Sequence, residues 1–242
     1  MKIERNHDLF RQIERDYWDY YRELEDEFIH MRKYVDFNQD NFGTYSVELL
    51  KLLQAICSEI DVIGKSMASI VKSDFKPEEK RNNIYKWWYI IQDEYTVTES
   101  YSGIFQEPME NEVNLNDYTP TFCDTYEICA WENFRIEIRP NKNGNRRHEL
   151  VKGYSVPSWW SDYNKVKHNR MSIILSDNEK RNYRKANLGN VCRAFAALYI
   201  LEKALMEAVG TKNDLEAFAN YSELFTKPTA ITAAELDKLM ID

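Results

Sequence analysis

A chain of 242 residues with a formal net charge of −8 is long enough to bury a sizeable core and too acidic to coat nucleic acid over its whole surface. Seven Gly argue against a glycine-rich nucleotide loop, and no G-x-x-x-x-G-K-[ST], G-x-G-x-x-G, H-E-x-x-H or G-x-S-x-G motif occurs. The first five residues carry no apolar signal core, and the longest apolar run, residues 194–201, is too short to span a membrane, so a cytoplasmic location is expected.

The low Gly and Pro content, with abundant Leu, Ala, Glu and Lys, predicts a mainly all-α protein. The expected architecture is an up-and-down bundle of long helices forming one domain over residues 1–242. Residues 5–37 read as the first helix. Phe10, Ile13, Tyr17, Tyr20, Leu24, Phe28, Met31 and Val35 recur at three- and four-residue steps along it. Residues 45–72 read as the second, with Ser46 as N-cap and a main apolar stripe from Leu49 to Ile70. A second stripe, Leu50, Cys57, Asp61, Gly64 and Ala68, is small enough to admit another helix. Asp61 lies on that stripe and Glu59 at the edge of the main one. An acid on a packed face is either paired with a cation or functional.

Pro77 opens a predicted third helix reaching about Tyr95. Residues 96–156 lose the helical period. Within them residues 134–139 alternate like a strand and Asn143-Gly144 signals a turn, so this segment reads as an insertion with a small hairpin. The Arg146-Arg147-His148 cluster that follows reads as a solvated turn. Residues 187–209 are apolar on two faces and predict a central helix ending at Gly210. Residues 213–225 read as a further helix, and Thr232 with Glu235 as the capping box of a last one.

Charge is uneven along the chain. Residues 135–185 hold 13 Lys/Arg and 5 Asp/Glu, a local +8, against −16 elsewhere. This allows a local anion or RNA site, although the segment could equally pack against acidic helices. Its centre is residues 157–170. Trp160, Asn164 and His168 fall at i, i+4 and i+8 and share a helical face; Tyr163, Lys167 and Arg170 form a neighbouring stripe. An Asn one turn from a His can hold the ring tautomer, and cations beside a neutral-range acid/base suit a phosphate. The plainer reading has the two Trp anchor a short amphipathic helix whose cations are only its wet rim. Cys57, Cys123, Cys129 and Cys192 form no C-x-x-C pair, and neither they nor His7, His30, His148 and His168 have zinc spacing. No metal and no cofactor are expected.

Residues 45–67, with Ser58-Glu59-Ile60-Asp61 and Lys65, and residues 159–209 together resemble the HEPN superfamily. That resemblance implies a compact helical bundle, often a homodimer, of the kind found in toxin–antitoxin and phage-defence systems, where an antitoxin or other protein is a partner. Active members are metal-independent endoribonucleases with an Arg four to six residues before a His. Here the His position is His168, and Asn164, Tyr163 and Asp162 stand where the Arg would be. The implied mechanism has His168 exchange a proton with the ribose 2′-OH or the leaving oxygen. Lys167 and Arg170 hold the scissile phosphate, Asn164 orients the ring, and Glu59 or Asp61 pairs the cations. Trp160 and Tyr163 support the site. RNA or a nucleotide is then the ligand. The competing class is a non-catalytic scaffold that meets a protein partner through its acidic surface and exposed Tyr and Trp.

Overall fold

The computed structural model describes residues 7–79, 81–101, 109–141, 143–170, 181–212 and 222–226. The first helical run comprises α1 (His7–Ile13), a π-helical turn (Glu14–Trp18) and α2 (Asp19–His30), and a 3₁₀ turn closes it at Lys33. The π turn corrects the expected seam. It inserts one residue, so the buried side chains step from Ile13 to Trp18 and then to Tyr21, Leu24 and Phe28. Tyr17 is left half-buried and Tyr20 exposed, where a regular helix would have buried both. The run ends before residue 37, and Phe37 reaches the core from a loop, stacked on Phe28.

Helix α3 (Val47–Val71) begins as its sequence predicts, with the Ser46 hydroxyl accepting from the Leu49 amide at 3.1 Å. Its main stripe is wholly buried from Leu49 through Leu53, Ile56, Ile60 and Ile63 to Met67, and half-buried at Ile70. Helix α4 (Ile84–Ile91) starts later than Pro77 suggested, because the Asn82 side chain donates to the Lys76 carbonyl and folds residues 76–82 into turns. A Cβ at Gly64 would lie 2.6 Å from the Trp87 ring, so the small-residue stripe of α3 is where α4 docks.

Residues 96–150 overturn the all-α expectation. Strands β1 (Thr96–Tyr101) and β2 (Met109–Asn114) pair antiparallel. Strand β3 (Thr121–Phe122) lies between β4 (Tyr126–Glu127) and β7 (Phe225–Thr226). Strands β5 (Ile136–Pro140) and β6 (Arg146–Leu150) form the hairpin expected around Asn143-Gly144, with Gly144 at φ +76°. The protein is therefore mixed α and β, not a plain helical bundle. The overlooked signal was residues 96–101, a β-branched and aromatic alternation in which Val97 and Glu99 point inward against the last long helix. Strand β7 also replaces the end of the helix expected over residues 213–225; residues 213–221 and the capping box at Thr232 lie outside the described residues.

Helix α5 (Ser158–His168) follows Pro157, and α6 (Leu188–Lys212) runs past Gly210 without stopping there. The Leu188 and Gly189 amides donate to the Thr44 and Phe42 carbonyls, so α3 and α6 begin at the same end and run side by side in one direction. That arrangement is parallel, where an up-and-down bundle would alternate. Among the described residues no helix is long and apolar enough to cross a membrane.

Candidate functional site

An aromatic seam positions α5. The Trp88 and Trp131 rings stack at 4.3 Å, Trp159 meets Trp131 edge-on at 5.2 Å, and Trp160 meets Trp159 edge-on at 5.7 Å. Buried indoles need an acceptor, and four here have one. Trp88 donates to the Phe134 carbonyl at 2.8 Å, Trp131 to Ala197 at 3.1 Å, Trp159 to Ala130 at 2.9 Å, and Trp87 to the Asp61 carboxylate at 3.0 Å. Trp159 is thus the anchor that the plainer reading assigned to it. All six Trp are buried, so only the Tyr part of the expected aromatic surface is exposed.

The polar side of α5 is tied to α6. Asp162 accepts from Lys165 at 3.0 Å, Lys185 at 2.9 Å and Asn190 at 3.2 Å. Burial alone would raise its carboxyl pKa, but these three donors outweigh burial and hold it below the usual carboxylate range.

The predicted site residues divide between two faces of α5. Trp160, Asn164 and His168 wall one open pocket of about 490 Å³, with Ser161 and Lys165 of α5, Val156, and Tyr85 of α4. Lys167 and Arg170 are not in that wall. Lys167 stands 5.4 Å over the Tyr163 ring, and Arg170 donates to the Gln54 side chain of α3 at 3.2 Å. Tyr163 is buried against α3. Burial, then the charges of Cys57 and Asp61, push its hydroxyl up to about 12. Asn164 donates to the Trp160 carbonyl at 3.1 Å instead of holding the imidazole, and His168 is exposed without a hydrogen-bond partner among the described residues.

Neither of the two predicted acids of α3, Glu59 and Asp61, lines the pocket. Asp61 is bonded by Lys65 and Trp87, the structural pairing that an acid on a packed face requires. Glu59 faces the other way, towards Tyr17 and Glu202, and burial lifts its carboxyl to about 6. Both oxygens of the fully buried Glu202 lack a hydrogen-bond partner among the described residues, and burial followed by the Glu59 charge raises it well above the carboxylate range. Among the described residues no group of three or more His, Cys, Asp and Glu side chains could hold a metal ion.

Sequence reasoning missed Tyr85, Ser161 and Lys165. Ser161 and Lys165 were legible as the one-turn neighbours of Asn164 and His168. Tyr85 was not, because its place depends on where α4 starts. Comparison with protein-family models, curated proteins and solved structures finds no match for this chain.

Proposed function

We propose that the protein binds single-stranded RNA at the α5 pocket, as a HEPN-like RNA-binding protein. One observation carries the reading: a single pocket is lined by Tyr85, Trp160, Asn164, Lys165 and His168. Unpaired bases stack on aromatic surfaces and offer edges to amides, while phosphates seek cations and imidazoles. Cleavage is the chemical extension of the same reading. His168 would take the ribose 2′-OH proton, and the 2′-oxygen would attack the phosphorus and expel the 5′-oxygen of the next nucleotide. Since Lys167 and Arg170 lie off the pocket, Lys165 is the cation that would meet the phosphate, exchanging Asp162, which Lys185 and Asn190 also hold, for the ligand.

The test is RNA binding and cleavage by the purified protein in EDTA, beside His168→Ala. Binding without cleavage supports the reading. Cleavage that needs His168 and leaves 2′,3′-cyclic phosphate ends extends it to a metal-independent endoribonuclease. Absence of RNA binding overturns it and favours the scaffold alternative. That alternative rests on the acidic groove between α2 and α3, lined by Glu23, Asp26, Glu27 and Glu48, and on Tyr34, which is 84% exposed. An antitoxin-like protein partner would then be sought with that face.

A further inference from the structure

Next to the α5 pocket lies a second cleft, of about 540 Å³, between the approach to α4 and strand β6. Arg81 and Lys86 line one side, and Arg146, Arg147 and His148 the other. Tyr85 lines both this cleft and the α5 pocket, so one ring separates the two.

The fold builds this wall rigidly from distant pieces of sequence. The Gln92 amide closes a two-bond fork on the Ile136 backbone, donating to its carbonyl at 2.9 Å and accepting from its N–H at 3.0 Å. Arg135 bonds Asp93 at 2.7 Å, and the Trp88 indole holds the Phe134 carbonyl. These bonds lock β5 onto α4, and the ladder pairing Ile138 with His148 fixes β6 behind it. The Arg146-Arg147-His148 cluster is therefore not a free turn.

Its cations are short of partners. Elsewhere Lys51, Lys185 and Arg135 each meet a carboxylate at 2.7–2.9 Å. In the cleft, Arg81 and Arg146 have no acidic partner among the described residues. Lys86 is bonded by the neutral Asn82 at 3.0 Å, and Arg147 has only Glu149, also in the cleft wall, at 3.9 Å. Four cations around one cavity, in a protein of net charge −8, repel one another until an anion enters. The imidazole between them adds no further charge at neutral pH. Burial first, then Lys86 and Lys72, lower the pKa of His148. The neutral ring, edge-on to Tyr89 at 5.1 Å, is left able to hydrogen-bond a phosphate or ribose.

We infer that this cleft is a phosphate-backbone site, and that it holds the stretch of single-stranded RNA next to the nucleotide seated in the α5 pocket. Tyr85 is the platform between the two subsites, and the strand passes over it. The inference rests on the RNA reading of that pocket and extends it to a tract of several nucleotides.

The test compares wild-type protein with Arg146→Glu/Arg147→Glu, at exposed hairpin positions, and with Arg11→Glu/Arg22→Glu, an equal change of charge on α1 and α2. Affinity for a labelled single-stranded RNA of about 10 nucleotides is measured across salt, with duplex RNA and inorganic polyphosphate as further probes. The hairpin variant is expected to bind RNA on the order of 100-fold more weakly. Its salt slope should fall by about 0.7 for each phosphate that is no longer neutralised. The α1–α2 control is expected to stay within about threefold. Equal, small effects of both variants, with Asn164→Ala still weakening binding, would overturn the cleft and leave the α5 reading standing. Polyphosphate binding that needs the hairpin arginines, without RNA binding, would support the cleft as a phosphate site and overturn the RNA reading. Wild-type protein that binds none of the three probes would overturn both.

Discussion

The charged residues on the α2–α3–α6 side of the molecule and those of the α4–β6–α5 groove meet opposite physical demands. On the first side acids turn inward: Glu25, Glu59, Glu202 and Glu207 are all buried. Two of them are well supplied. Glu25 accepts from Tyr21 at 2.9 Å and from the Leu224 amide at 3.2 Å, which fastens residues 222–225 to the core. Glu207 accepts from the Thr98 amide at 2.7 Å and pairs with Lys203. Glu59 and Glu202 are not so supplied, and burial raises both carboxyl pKa values. On the second side Arg81, Arg146 and Arg147 stay in water, where an unpaired charge costs folding little and remains open to a ligand. The difference teaches that the acids bear on stability and its pH dependence, while the cations bear on binding.

The seam that joins the two sides is the place to break both at once. Trp131 stacks on Trp88, meets Trp159 and bonds the α6 backbone. Trp131→Ala is expected to cost about 3–5 kcal/mol, read as a lowered denaturation midpoint, and to abolish binding at the groove with it. Gly64→Val, which drives a Cβ into Trp87, is expected to cost about 1–3 kcal/mol by the same measurement.

Glu202→Gln sharpens the comparison from the acid side. A carboxyl whose pKa is raised by folding stabilises the protein fully below its unfolded value, near 4.5. That contribution is lost as pH rises through the folded value, about 6 for Glu59 and well above the ordinary carboxylate value for Glu202. Stability should therefore fall between pH 5 and 8. The Gln variant should flatten that fall and raise Tm at pH 8 by roughly 2–4 °C, with groove binding unaltered. A lower Tm at pH 8 would contradict this account of the buried pair. The smallest expected effect on stability belongs to Asn164→Ala, within about 0.5 kcal/mol, because its bond is to its own helix and its side chain is half-exposed. RNA affinity should drop in the same variant; an intact affinity would remove Asn164 from the pocket's function.

What the sequence made legible follows from local rules. The Ser46 cap, the buried stripe of α3, the α5 helix behind Pro157 and the Asn143-Gly144 hairpin depend on neighbours a few residues away. The shared face of Trp160, Asn164 and His168 was legible for the same reason. The π turn at Glu14–Trp18 was not, since regular helical steps run through Tyr17 and Tyr20 as readily as the π turn runs through Trp18 and Tyr21. Nor was the groove. Arg146 and Arg147 gain meaning only when Gln92, far away in sequence, fixes the hairpin against α4. Lys167 went to the α3 side because a helix turns by about 100° per residue, and Arg170 because α5 ends at His168 and the chain leaves the helix before reaching it, so cations that are neighbours in sequence need not face one ligand.

The four histidines allow the central claim to be tested on the unaltered protein. His148 and His168 line the two pockets of the groove, whereas His7 lies on α1 and His30 borders the acidic groove. The measurement is an NMR titration of the imidazole resonances with single-stranded RNA. The account predicts that His148 and His168 shift while His7 and His30 do not, and that bound phosphate raises the lowered pKa of His148. Shifts at His7 or His30 with His148 and His168 unmoved, or no shift at any of the four at saturating RNA, would contradict it.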